Sequence, residues 1–128
     1  MTTEPEWIEA EDAARFHEEV VASFGGQSGV GDRWSLEFAL NRPRKLFTHG
    51  QPDLPALAAA YAQAIVRNHP FEDGNPRTAL VLACLFLGLN GLAVEPPEEE
   101  AVVMTEGLAA GEVSAALFAS WLRKHSRP

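Results

Sequence analysis

The stretch HPFEDGNPRT fills residues 69–78 and runs directly into ALVLACLFLGL, residues 79–89. The first part carries a histidine, two carboxylates, a glycine, an asparagine and an arginine; the second is an unbroken apolar run. Pro70 ends any helix that reaches His69, because a residue before proline is pushed out of the helical region. Asn75 is a favourable N-cap, and Pro76 suits the first helical position, where a missing N–H costs little. A helix is therefore predicted from about 76 to 90, with Asn90-Gly91 as its stop. Its apolar residues cover nearly every face, so it reads as a buried central helix whose free N-terminal N–H groups face the polar loop.

Outward from this stretch, the rest of the chain also reads as helices. Residues 9–24, EAEDAARFHEEVVASF, place Ala13, Phe16, Val20, Val21 and Phe24 on one face and His17 on the polar one. Gly25-Gly26 stops that helix, and the glycine-rich Gly25–Gly31 reads as a connecting turn, since it lacks the Lys-Ser/Thr ending of a nucleotide P-loop. Asp32 caps a helix over 33–42 with Trp34, Leu36 and Phe38 inward, ended by Pro43. Residues 43–52, PRKLFTHGQP, read as a small hairpin or an irregular flap. Asp53 caps a third helix with Pro55 in its first turn, continuing to His69. EPPEEE, residues 95–100, opens a fifth, with carboxylates where the helix dipole favours them. Gly111 separates this from a sixth over 114–124, capped by Ser114, with Leu117, Phe118, Trp121 and Leu122 inward and Arg123-Lys124 at its C-terminal end. The sum is one all-α domain over 1–128, about six helices around a buried central one, with a short flap between helices 2 and 3 and flexible tails at about 1–7 and 125–128.

Bulk properties exclude several classes. A net charge of −8 provides no basic field for nucleic acid. The single cysteine, Cys84, permits neither an intrachain disulfide nor a thiolate zinc site, and reads as a buried, inert thiol. The apolar run is well short of the ~18–20 residues that span a bilayer, and the acidic N-terminal segment does not resemble a signal peptide. The expectation is a cytoplasmic protein with neither a nucleic acid nor a membrane as direct partner.

The chemistry sits in the opening stretch. A helix N-terminus preceded by glycine suits an anion such as phosphate. Arg77 is unfavourable there for the dipole but well placed to clamp phosphate. Asp73 beside bound phosphates calls for a bridging cation, for which Mg²⁺ is the usual choice, and His69 can take a proton from an incoming hydroxyl. Phe71 reads as a core anchor of the loop. A plain turn followed by an N-cap accounts for the same residues without any chemistry. His49 in the flap and His125 in the tail have no assigned role; Trp7, Trp34, Trp121 and Met104 read as packing residues.

His69-Pro-Phe71-Glu-Asp73-Gly74-Asn75-x-Arg77 resembles the HxFx(D/E)GNxR signature of the Fic superfamily. Thr78-Ala79-Leu80, the small size and the order of segments resemble its death-on-curing (Doc) toxin branch, and the likeness covers roughly residues 8–124. The resemblance implies an all-α Fic fold and transfer of a phosphate-containing group from ATP to a protein hydroxyl. It implies His69 as general base, Asp73 as Mg²⁺ ligand, and Gly74, Asn75 and Arg77 as the phosphate-binding anion hole. Phe71 and Pro76 then support the motif, Arg67 matches an arginine often found two residues before the histidine, and 43–52 corresponds to the flap that aligns a target peptide. Elongation factor Tu is the implied target, and a cognate antitoxin peptide or helix the implied partner.

The residue after the asparagine divides that superfamily. Adenylylating members carry glycine there and Doc-type kinases tend to carry lysine; this chain has Pro76, which offers neither N–H nor charge. Leu80 stands where the longer adenylylating signature has a second arginine, which favours the toxin branch. A γ-phosphate kinase, an adenylyltransferase and a catalytically weak binding module thus remain distinct readings. No (S/T)xxxE(G/N) inhibitory motif occurs, so control within the chain is not expected.

Overall fold

A computed structural model describes residues 3–128. Its helices are α1 (Ala10–Phe24), α2 (Arg33–Thr48), α3 (Leu54–Asn68), α4 (Asn75–Leu89), α5 (Glu98–Ala110) and α6 (Ala115–Lys124). Two short strands, β1 (Ala93–Val94) and β2 (Ser126–Arg127), pair antiparallel. The all-α architecture expected from the sequence is what the chain adopts.

The centre of the bundle is shared by α3 and α4. α3 packs against α2, α4, α5 and α6 and buries, among others, Leu57, Tyr61 and Ile65. Its run of alanines lets neighbouring helices approach closely. α4 buries Leu82, Phe86 and Leu87, each burial contributing roughly 1.5–3 kcal/mol. Cys84 lies partly buried in this wall, and burial pushes its thiol up to about 11, which keeps it protonated and unreactive.

α2 continues through Pro43 to Thr48, past the stop and into the segment expected to form a flap. A proline inside a helix costs about 3 kcal/mol, and here burial offsets it. Pro43 is itself buried, and Leu46 and Phe47 beyond it pack on the core, Phe47 lying edge-on to Trp7 at 5.8 Å. Only residues 49–53 remain non-helical between α2 and α3. The inward face of α2 is Leu36, Ala39, Leu40 and Pro43; Trp34 and Phe38, expected inside, are exposed. Leu117 of α6 is likewise exposed, whereas Phe118, Trp121 and Leu122 are buried.

Residues near both chain ends make contacts with the bundle. Glu6 N–H donates to Asn90 Oδ1, Ile8 N–H donates to the Tyr61 hydroxyl, and Trp7 stacks on Phe86 at 5.8 Å. At the other end Ser126 and Arg127 pair with β1, and His125 lies against Trp121 and Glu100. Long-range partners capture these segments, and their local sequence shows no trace of that. Met1 and Thr2 of the N-terminal tail lie outside the described residues.

The caps at Asp32, Asp53 and Ser114 form as the sequence predicts. Asp53 does more: its carboxylate also takes two bonds from Arg123 of α6, both at 3.0 Å, and this pairing holds its pKa below the ordinary value of 3.8. Asp53→Ala should lower stability by about 1 kcal/mol through the lost cap. Because the folded-state pKa is depressed, the ionised cap contributes fully above pH 3.8 and its contribution is lost as pH falls from there through the folded value. Urea titrations of wild type and variant at pH 7 and pH 3 should show the gap closing at the lower pH.

Candidate active site at the start of α4

The loop between α3 and α4 is closed by Asn75. Its side chain accepts from Phe71 N–H at 3.1 Å and donates to Phe71 C=O at 3.0 Å. Both residues are buried. Asn75 therefore is not the N-cap the sequence suggested. Its carboxamide faces back to satisfy two buried backbone groups, and Gly74, in the left-handed region at φ 74°, becomes the cap residue. Thr78 N–H is the first in α4 to find an acceptor, Gly74 O at 2.9 Å. The N–H groups of Gly74, Asn75 and Arg77 have no acceptor among the described residues, and Pro76 has no N–H to give. What Asn75 leaves open is thus its backbone N–H.

The glycine-rich segment after α1 is part of the site and not the mere connection the sequence suggested. Gly31 and Asp32 N–H both donate to Pro70 O, Glu72 N–H donates to Gly29 O, and Val30 bridges Phe71. Gln27 N–H donates to Asp73 Oδ2 at 2.8 Å, orienting that carboxylate. Gly26, at φ 112°, must be glycine twice over, since a Cβ there would come within 3.1 Å of Asp73 Cβ.

His69 is the last cap residue of α3, exposed, and held at φ 50°, ψ 53°. A non-glycine residue in this region costs roughly 1 kcal/mol or more and persists where its surroundings over-determine it. Arg77 is gripped from two sides: Glu98 of α5 pairs with it at 3.0 Å, and its guanidinium lies 4.1 Å from the centre of the Phe24 ring. Phe24 is thus a surface partner of Arg77, not the core residue of α1 that the sequence suggested. Gly74, Pro76 and Arg77 line a cavity of about 240 Å³ with Leu80 of α4 and Ala101, Val102, Thr105 and Glu106 of α5. Arg67 stands apart from this cavity, lining a separate groove with Gln63 and the α5–α6 turn.

The largest departure from the sequence reading is His17. It was placed on the polar face of α1, yet it is completely buried, stacked on Phe71 with ring centres 4.0 Å apart. Its Nε2 bonds Asp73 O at 2.7 Å. The stripe Ala13, His17, Val20 has helical core spacing and carried this information; polarity overrode it.

Asp73 also suits a divalent cation. It is exposed, and one oxygen is fixed by Gln27. A single carboxylate beside an anion cradle matches the way Mg²⁺ is held jointly by protein and phosphate oxygens. No helix among the described residues is long and apolar enough to cross a membrane.

Residues 7–87, which include the histidine, the fixed carboxylate and the unpaired N–H groups of this loop, match the Fic/DOC family. The chain belongs to that family, in its Doc branch. It is similar to "Protein kinase doc" of Escherichia phage P1, 35% identical over 118 residues, which span 91% of this chain and 93% of that one. It is also similar to "Toxin Doc" of Mycolicibacterium smegmatis (strain ATCC 700084 / mc(2)155), 41% identical over 73 residues, 55% of each chain.

Asn75→Ala should strand both buried backbone groups of Phe71 and destabilise the fold by about 2–4 kcal/mol. Asn75→Asp, which keeps an acceptor for the N–H but faces the carbonyl with a second oxygen, should fall between the two in thermal denaturation.

Proposed function

We propose that this chain is the toxin of a toxin–antitoxin pair and a protein kinase. It transfers the γ-phosphate of ATP to a serine or threonine hydroxyl of a translation factor such as elongation factor Tu. The observation that carries the reading is the cradle of N–H groups at Gly74, Asn75 and Arg77, with His69 and Asp73 on the same loop. In this reading His69 takes the proton of the target hydroxyl as its oxygen bonds the γ-phosphorus, and the bond to the bridging oxygen of ADP breaks. The N–H groups and Arg77 neutralise the charge on the transferred group. Asp73, together with phosphate oxygens, would hold Mg²⁺, which would supply further charge neutralisation. The largely apolar cavity against α5 accommodates the nucleoside portion, and on another side of α5 exposed Val103, with Met104 and Trp121, offers an apolar patch to an antitoxin helix.

Pro76 sets the competing reading. It withholds the N–H that an adenylylating site presents to the α-phosphate, which disfavours nucleotidyl transfer, but it also lacks the lysine charge of a Doc-type kinase. Label from γ-³²P-ATP, not α-³²P-ATP, should move to a host protein in lysate, and His69→Ala and Asp73→Ala should reduce transfer at least a hundredfold. Movement of the α-label instead identifies a nucleotidyltransferase, and no transfer from antitoxin-free protein removes the enzymatic reading.

Glu98 competes with phosphate for Arg77. As an exposed ion pair it is worth under about 1 kcal/mol, so Glu98→Gln should lower the KM for ATP roughly two- to threefold and leave kcat nearly unchanged.

A further inference from the structure

His17 is a fully buried polar side chain that the proposed chemistry does not use. Its ring is fully enclosed, lies within 8° of parallel to Phe71, and reaches from α1 to the backbone of Asp73, 56 residues away. A carbonyl oxygen only accepts, so the hydrogen of the 2.7 Å bond sits on Nε2. Nδ1 is buried without a partner.

The carbonyl of Asp73 and the N–H of Gly74 belong to one planar trans peptide and point in opposite directions. A carbonyl drawn toward α1 therefore turns the Gly74 N–H away from α1, where it has no acceptor among the described residues. Nothing in the local sequence enforces this choice. Glycine tolerates both signs of φ, so the Asp73–Gly74 peptide is the easiest in the loop to rotate. The bond from His17 selects one orientation, and the stack on Phe71 fixes the ring that makes it.

We infer that His17 is a positioning residue: it holds the Asp73–Gly74 peptide so that the Gly74 N–H joins the phosphate cradle. This rests on the phosphate-binding reading of the α4 N-terminus. It assigns a role in ligand binding to a residue on another helix that faces no ligand itself.

The test uses ¹⁵N-labelled full-length protein titrated with inorganic phosphate and with ATP. In wild type the Gly74 and Arg77 amide resonances should both move on binding. In His17→Phe, which keeps the stack and loses the donor, the Gly74 response should vanish, the Arg77 response should persist, and the dissociation constant should rise roughly tenfold. In His17→Gln, which restores an N–H donor, the Gly74 response should return. The imidazole ¹⁵N spectrum of wild type, which needs no variant to fold, should show hydrogen on Nε2 and bare Nδ1. A Gly74 response equal in wild type and His17→Phe, a response as absent in His17→Gln as in His17→Phe, or hydrogen on Nδ1 alone overturns the role of His17 and leaves the phosphate site standing. No response of either amide in wild type overturns the phosphate reading itself, and the inference with it.

Discussion

Two hydrogen bonds from one buried carboxamide, Asn75 to the N–H and C=O of Phe71, decide how the α3–α4 connection is shaped. Phe71 must go inside, because it fills space between α1 and α4 and stacks on His17. Its backbone must follow, and a buried peptide without partners is too costly to keep. Asn75 supplies both partners from the first turn of the next helix. Once its side chain is committed there, Gly74 is left to make the turn, and the α4 amides are left open. The exposed features of the site, His69 on one flank and Asp73 on the other, take their places from this internal closure.

Several other polar groups of the loop are satisfied from outside it. α1 contributes His17 to the Asp73 carbonyl and Phe24 to the face of Arg77; the glycine-rich segment contributes the Gln27 amide to the Asp73 carboxylate; α5 contributes Glu98 to Arg77. These come from three separate stretches of chain around one loop. The site is a place where the bundle converges, and the motif is only its visible centre.

Much of this was legible in the sequence, and the boundary between what was and was not is physical. Caps and stops at Asp32, Asp53, Ser114, Gly25 and Gly111 act within a few residues, and they are where local rules place them. The motif residues on the α3–α4 loop could be named because their chemistry is contiguous. Pro43 misled because its cost is local while its compensation, Phe47 against Trp7, spans forty positions. Trp34, Phe38 and Leu117 misled because apolar character does not say which way a residue faces. The burial of His17 was legible in its helical spacing and polarity overrode it, whereas its partners and those of the Gly26–Gln27 segment, Phe71 and Asp73, lie too far along the chain for a local pattern to announce.

The dependence of α3 on α6 bears on how the protein is made. α3 is the inner wall of the bundle and packs on α6, residues 115–124, with Arg123 fastening Asp53 at the head of α3. Residues 69–77 leave the ribosome well before that cover exists. Until then α3 has an apolar side open to water, and the loop it carries has no fixed platform. The bundle around the loop is therefore complete only once α6 has been made and has docked.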